Sequence, residues 1–286
     1  MAYRVILVPI MGDPAEPHAL DVTRGLTDMI RSHIIGIHVR SPISLAASGA
    51  VLDTGYLTAG VIEALEQAGR ERAGEARTTF RRWQEATGLA NATSPPASGQ
   101  TTVEWSEVQA PVAPEIARRA RTADLTVVAR SHRDYAIDAD QILQGALWES
   151  GRPVLLVPGK SPRPLLDTAV IAWNDSREAA HAVSAAWSLI GRVQRIVVFV
   201  GGEDEALRHA AERFVRHLAW RGYASATVVS DPSADTGAGL LAVAEREKAG
   251  LIIMGAYSHS RLRHFVFGGA TSFILANATI PVLLAH

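Results

Sequence analysis

The sequence repeats itself, and this repeat constrains the fold more than any other feature of the chain. Residues 123–129 read ADLTVVA and residues 249–255 read AGLIIMG, at an offset of 126. Residues 153–157 read PVLLV and residues 281–285 read PVLLA, at an offset of 128. The two offsets differ by only two residues, and unrelated apolar runs would not keep two landmarks so nearly equally spaced. The 286-residue chain therefore predicts two copies of one unit, each near the usual domain size of about 100–150 residues.

Each copy alternates short apolar runs with segments of helical periodicity. The predicted strands of the first copy lie near 3–9, 33–39, 101–106, 124–129 and 153–157, with a helix at 61–85. The second copy predicts strands at 168–173, 195–200, 224–230, 250–254 and 281–285, and helices at 176–190, 204–221, 237–248 and 269–277. Uniformly apolar strands joined by helices are typical of parallel sheets with helices on both faces. We therefore expect an α/β protein of two tandem flavodoxin-like or Rossmann-like units.

A proline-rich segment predicts the boundary between the copies. Residues 160–166 read KSPRPLL, a composition that suits a linker. This predicts a first domain over 1–159 and a second over 167–286. The first copy also carries a longer insert at 41–56 and a polar loop at 91–100.

Composition excludes several classes of function. The chain contains no cysteine, which excludes disulfides, thiolate metal sites and a cysteine nucleophile. Its net charge of −1 gives no sign of binding to nucleic acid or to an anionic membrane. No stretch of the sequence reaches the roughly 18 apolar residues of a membrane span. Since the first apolar run is also too short for a signal peptide, we expect a cytoplasmic protein.

The loop after the fourth strand of the second copy carries the clearest functional pattern. Open parallel sheets bind ligands at the carboxyl ends of their strands. Glycines allow an anion to approach the backbone, and the N–H groups at a helix start are unsatisfied. A plain tight connection would use similar residues, so this alternative stays open. The candidate residues of a phosphate site are Met254, Gly255, Ser258, Arg261, Gly268, Gly269 and Ala270.

The spacing of this loop resembles that of the ATP-binding loop of universal stress proteins. In that family a glycine, two residues, a glycine and nine further residues precede a glycine that is followed by serine or threonine. Gly255, Ser258, Gly268 and Gly269 stand at the four key positions here. The spacing is kept, whereas Ser258 replaces the second glycine and Gly269 replaces the hydroxyl residue. With the doubled α/β pattern, the whole chain resembles a tandem universal stress protein.

The resemblance implies a strand order and further site residues. Each half would be a five-stranded parallel sheet in the order 3-2-1-4-5, and paired domains of the family meet through their last strands. An acidic residue normally follows the first strand, near the base and ribose. The segment Ala172, Trp173 and Asn174 occupies that place, with Asn174 at the acidic position. Val200 matches a position whose backbone meets the adenine.

The first copy departs further from this pattern. After its fourth strand no glycine occurs until Gly145, and Met11 stands where the acidic residue belongs. We therefore expect the first copy to bind no nucleotide and to act as a structural partner for the second.

The resemblance implies a stress-response regulatory protein that binds ATP or a related nucleotide, with or without magnesium, at one site per chain at most. A homodimer and an unidentified protein partner would accompany this role. Two alternatives stay open: an adaptor that binds no nucleotide and acts only through protein partners, and a slow ATPase. The sequence offers no metal-holding carboxylate pair and no base beside the loop, so we predict no catalytic residue, no metal ligand and at most weak hydrolysis of ATP.

Overall fold

The structure is a computed structural model that describes residues 3–42, 59–97, 99–130, 136–159, 163–232, 235–256 and 269–286. The chain forms two compact units, the first ending at Arg152 and the second beginning at Pro153. This division precedes the proline-rich segment, because the strand formed by the PVLLV segment packs with the second unit.

The first unit is built on a parallel sheet. Its strands are β1 (Val5–Pro9), β2 (His33–Arg40), β3 (Ala90–Asn91), β4 (Thr102–Gln109) and β5 (Leu125–Ala129). Its helices are α1 (Glu16–Met29), α2 (Ala59–Thr87), α3 (Val112–Ala120) and α4 (Ala136–Leu143), and a π-helical turn (Gln144–Glu149) follows α4. The strands lie in the order β3-β4-β2-β1-β5, and each neighbouring pair is parallel. The short β3 and the π-helical turn have no counterpart in the sequence prediction.

The second unit repeats this architecture. Its strands are β6 (Val154–Val157), β7 (Thr168–Ala172), β8 (Arg195–Gly201), β9 (Thr227–Asp231), β10 (Leu251–Gly255) and β11 (Val282–Ala285). Its helices are α5 (Arg177–Ile190), α6 (Glu205–Trp220), α7 (Thr236–Arg246) and α8 (Gly269–Asn277). The strands lie in the order β6-β11-β10-β7-β8-β9, and all neighbouring pairs except β6–β11 are parallel. The predicted α/β class with parallel strands flanked by helices is confirmed.

The PVLLV and PVLLA segments pair with each other. Strands β6 and β11 run antiparallel, with Val282 opposite Leu156 and Leu284 opposite Val154. All four residues of each strand are buried. An exposed apolar edge strand invites aggregation, and this pairing covers the edge of β11 within the chain. The resemblance leaves open whether these segments pair within the chain or between chains, and here they pair within the chain.

Short polar residues fix where the helices of the second unit begin. The side chain of Ser176 accepts the N–H of Ala179 at 3.1 Å and caps α5. The carboxylate of Asp235 accepts the N–H groups of Gly237 and Ala238 at 2.9 and 3.1 Å and caps α7. Such caps satisfy N–H groups that have no partner inside the helix. Among the described residues, no helix is both long and apolar enough to cross a bilayer.

Candidate functional site

The predicted site residues that precede the phosphate loop lie where neighbouring strands of the second unit end. Ala172 of β7 lies opposite Met254 of β10 in the parallel register. The N–H of Trp173 donates to the carbonyl of Phe199 in β8 at 2.9 Å. Val200 follows in β8 with a buried side chain. We call the edge where β7, β8 and β10 end the carboxyl edge.

Helix N-termini meet the strands at this carboxyl edge. A Cβ on Gly201 would lie 2.5 Å from Cγ2 of Thr236, so the first turn of α7 packs directly on the end of β8. A Cβ on Gly237 would lie 3.2 Å from the carbonyl oxygen of Ala270, so α7 and α8 begin against each other. Helix N-termini carry partial positive charge and N–H groups that have no partner inside the helix. Asp235 already accepts two of these N–H groups at the start of α7, so an anion held at this edge would lie at the start of α8.

Gly255 has a structural reason that needs no ligand. A Cβ at this position would lie 2.5 Å from the backbone nitrogen of Ala179 and 2.5 Å from the carbonyl carbon of Glu178. Real Cβ atoms do not approach backbone atoms so closely, and so only glycine lets the first turn of α5 pack on β10. Packing alone therefore explains why the first position of the loop is a glycine.

Gly269 and Ala270 form the first turn of α8. Gly269 is exposed, and a Cβ built on it meets nothing within 4 Å. The described packing therefore leaves room for the serine or threonine side chain that the family pattern has at this position. The remaining predicted loop residues, Ser258, Arg261 and Gly268, lie outside the described residues.

The turn after β7 is held by a local hydrogen bond. Ser176 Oγ donates to Oδ1 of Asn174 at 2.6 Å, and Asn174 is exposed. Asp175 between them has a φ of 56°, in the left-handed region that few residues other than glycine adopt. The carbonyl oxygen of the Asn174 side chain is therefore turned toward the cap of α5.

Trp173 contacts a residue that the sequence analysis did not connect with it. Its half-buried ring stacks on Phe214 of α6, with centroids 4.2 Å apart and planes 4° apart. The two rings line a cleft between α5 and α6. Phe214 shows in the sequence only as part of the apolar stripe of its helix, a signal that does not reveal its partner. The described ring contact of Trp173 is with α6, and the place near a base that the resemblance implies for its segment stays a prediction.

The carboxyl group of Glu178 lies beside the carboxyl edge. A hydrogen bond from the backbone N–H of Glu178 holds the pKa of this carboxyl below its ordinary value, and nearby Arg177 and His286 lower the pKa further. The ring of His286 is fixed by the carbonyl of Ala256, 3.0 Å from Nδ1. The ionised carboxylate would repel a phosphate brought close to it, and the carboxylate that caps α7 would do the same.

In the first unit, the side chain of Glu16 occupies the turn after β1, which is equivalent to the turn after β7. The backbone N–H groups of Met11 and Gly12 donate to the carboxyl group of Glu16, the latter at 3.0 Å. Glu16 is only 3% exposed, and its burial raises the pKa of the carboxyl to about 8. Because these backbone donors already have an internal acceptor, a ligand that uses them would have to displace the carboxyl group of Glu16. That the first copy binds no nucleotide stays a prediction.

The residues that the structure describes contain no group of three histidine, aspartate or glutamate side chains arranged to hold a metal ion.

Comparisons with known proteins find similarity to one family in part of the sequence and similarity of fold over nearly the whole chain. Residues 203–286 match the model of the universal stress protein family. No curated protein matches the chain. A universal stress protein from Archaeoglobus fulgidus is 14% identical, with a TM-score of 0.71, over 99% of this chain and 96% of its own.

Two further solved structures are similar. A putative universal stress protein from Pseudomonas aeruginosa is 16% identical, with a TM-score of 0.57, over 99% of this chain and 93% of its own. A universal stress protein in complex with cAMP is 22% identical over 55% of this chain and 98% of its own, with a TM-score of 0.35. At these identities the first two likenesses show the fold of the chain, and the cAMP complex describes that protein alone.

Proposed function

We propose that this protein binds ATP or a related nucleotide in its second unit, because residues 203–286 match the universal stress protein family and the fold is similar to that of a universal stress protein. Binding would serve a stress-response regulatory role by changing the contacts of the protein with a partner. The first unit would be the structural half, since Glu16 occupies its backbone donors.

One observation carries this proposal: the start of α8 lies against the start of α7, which packs on the end of β8 at the carboxyl edge. The family spacing runs from Gly255 at this edge to Gly269 at the helix start. In the proposed mode the phosphates lie against Gly269 and Ala270, with Ser258, Arg261 and Gly268 completing the loop. The segment Ala172 to Asn174 and the backbone of Val200 would face the ribose and base.

An adaptor without a nucleotide is the second candidate, and a specific observation favours it. Gly255 is explained by its packing on Ala179, and Ser258 and Gly269 differ from the family pattern. A slow ATPase is the third candidate. We propose no catalytic residue for it and no magnesium ligand.

A single-residue pair tests the nucleotide site. We propose titration calorimetry of the purified chain with ATP, with and without magnesium, alongside Gly269→Asp and Gly269→Asn. The position is open, so both variants should fold, and the two side chains have nearly the same shape. We expect about one site per chain and at least a tenfold loss of affinity in Gly269→Asp, with a much smaller loss in Gly269→Asn.

If millimolar ATP gives neither heat nor a thermal shift, the nucleotide proposal fails and the adaptor becomes the working function. If ATP binds and free phosphate accumulates above the background rate, the ATPase candidate is revived.

The proposed setting is a cytoplasmic homodimer. Since β6 already covers β11 within the chain, a dimer would have to form through another surface. Light scattering on a sizing column reads the molar mass directly, and a mass of one chain, 30.6 kDa, would contradict the dimer.

A further inference from the structure

A cleft of about 370 Å³ opens between α5 and α6 of the second unit. Its volume falls in the range of small-molecule sites, which starts at about 300 Å³. Three aromatic residues line it, Trp173, Trp187 and Phe214, together with small aliphatic and polar residues. Trp173 is the one residue of this lining that the nucleotide proposal also uses, and the remaining lining residues have no role in that proposal.

The aromatic walls are held in place by neighbours. Trp173 and Phe214 are stacked in parallel, 4.2 Å apart, and Phe214 is buried. The guanidinium carbon of Arg221 lies 4.1 Å from the ring centroid of Trp187, and Tyr223 is stacked near that ring at 6.5 Å. Side chains fixed before binding lose little entropy when a ligand arrives. Fixed flat walls favour a flat ligand, because aromatic rings prefer offset stacking or edge contacts.

The charges that line the cleft give the polarity of its ligand. Arg213 and His217 of α6 lie in its lining, both exposed. Asp175 is the acidic residue of the lining, and its carboxylate lies 3.5 Å from the guanidinium of Arg213. Both side chains of this pair are at least half exposed, so the pair contributes little and an incoming anion can replace Asp175.

We propose that this cleft binds a small planar aromatic molecule that carries one anionic group, such as an aromatic carboxylate. Its ring lies against Trp173 and Trp187, and its anionic group pairs with Arg213. This goes beyond the proposed nucleotide site, because it uses neither α8 nor the phosphate loop.

The probe is sodium 2-naphthoate, titrated calorimetrically into the purified full-length chain, with the neutral 2-naphthalenemethanol as its comparison. We expect saturable naphthoate binding whose affinity falls at least tenfold in Arg213→Gln. The affinity for the neutral compound should fall less than twofold in the same variant. Arg208→Gln is the matched control. It removes the same charge from an exposed position of the same helix that does not line the cleft, so it should leave both affinities unchanged.

A second variant fills the cleft instead of changing its charge. Ser184 lines it and is exposed, so Ser184→Trp should abolish binding of both compounds. If thermal unfolding shows that this variant does not fold, Ala180→Leu, another exposed lining position, takes its place. The proposal is overturned if naphthoate at millimolar concentration does not saturate, or if its affinity is indifferent to Arg213→Gln and to filling the cleft. Gly269→Asp should leave naphthoate binding unchanged, which separates this site from the nucleotide site.

Discussion

Trp173 and Phe214 are stacked face to face, with ring centroids 4.2 Å apart and an angle of 4° between the planes. The first residue follows β7 and the second lies in the middle of α6, so the contact ties the turn at the carboxyl edge to the helical layer. The indole nitrogen of Trp173 is buried, and no described residue accepts its hydrogen bond. The ring therefore stabilises this region by stacking and burial.

A double-mutant cycle measures this contact. Trp173→Leu and Phe214→Leu should each destabilise the protein, and their coupling energy should be about 0.5–1.5 kcal/mol beyond the loss of buried area. Urea unfolding of the four proteins gives the coupling. The control cycle combines Phe214→Leu with Trp220→Leu, because Trp220 is 91% exposed. An equally large coupling energy in the control cycle would show that the coupling does not come from the stacked contact.

Gly255→Ala should destabilise the protein by about 1–3 kcal/mol, because the new methyl group would overlap the backbone of α5 at Ala179. Gly269→Ala makes the same change in open space at the start of α8. It should be neutral or stabilising by about 0.4–1 kcal/mol, because alanine restricts the unfolded chain. Chemical denaturation of both variants checks this. Equal effects at the two positions would contradict the packing explanation.

The buried carboxyl of Glu16 should make stability fall as pH rises. Burial raises its pKa from the ordinary 4.5 to about 8, so the folded protein keeps a proton that the unfolded chain releases over this interval. The contribution is therefore complete below pH 4.5 and is lost as pH rises through about 8, with a slope of up to about 1.4 kcal/mol per pH unit.

Glu16→Gln should remove this slope, because glutamine does not titrate. Free energies of unfolding measured from about pH 5 to about pH 9 test the difference between variant and parent. Glu85→Gln, on an exposed side chain of α2, is the control and should keep the parental slope. A parental slope in Glu16→Gln would mean that another group carries the proton.

Ser176→Ala should cost about 1 kcal/mol, since it removes the cap of α5 and the bond to Asn174. The control is Ser184→Ala in the middle of the same helix, where the side chain is exposed and the change should lie within about 0.5 kcal/mol of zero. Thermal unfolding of both variants is sufficient. Equal losses would show that the cap does not stabilise the turn.

The sequence predicts most of the secondary structure because its signals are local. Apolar runs of strand length and apolar stripes at helical spacing depend on residues a few positions apart. The helix at 269–277 and the strand at 195–201 lie within a residue of their predicted bounds. The same reasoning brings Ala172 and Met254 together, because neighbouring parallel strands end at one edge. Of the phosphate loop, only its two ends lie among the described residues.

The sequence by itself therefore determined the repeat and the α/β class, and it predicts the edge of the sheet where a ligand would lie. Only the tertiary structure decided which distant residues meet. It stacked Trp173 on Phe214, set Gly255 against Ala179 and paired β6 with β11. Such contacts join elements far apart in the chain. They are selected by how side chains fill the space between packed elements, which no local spacing specifies.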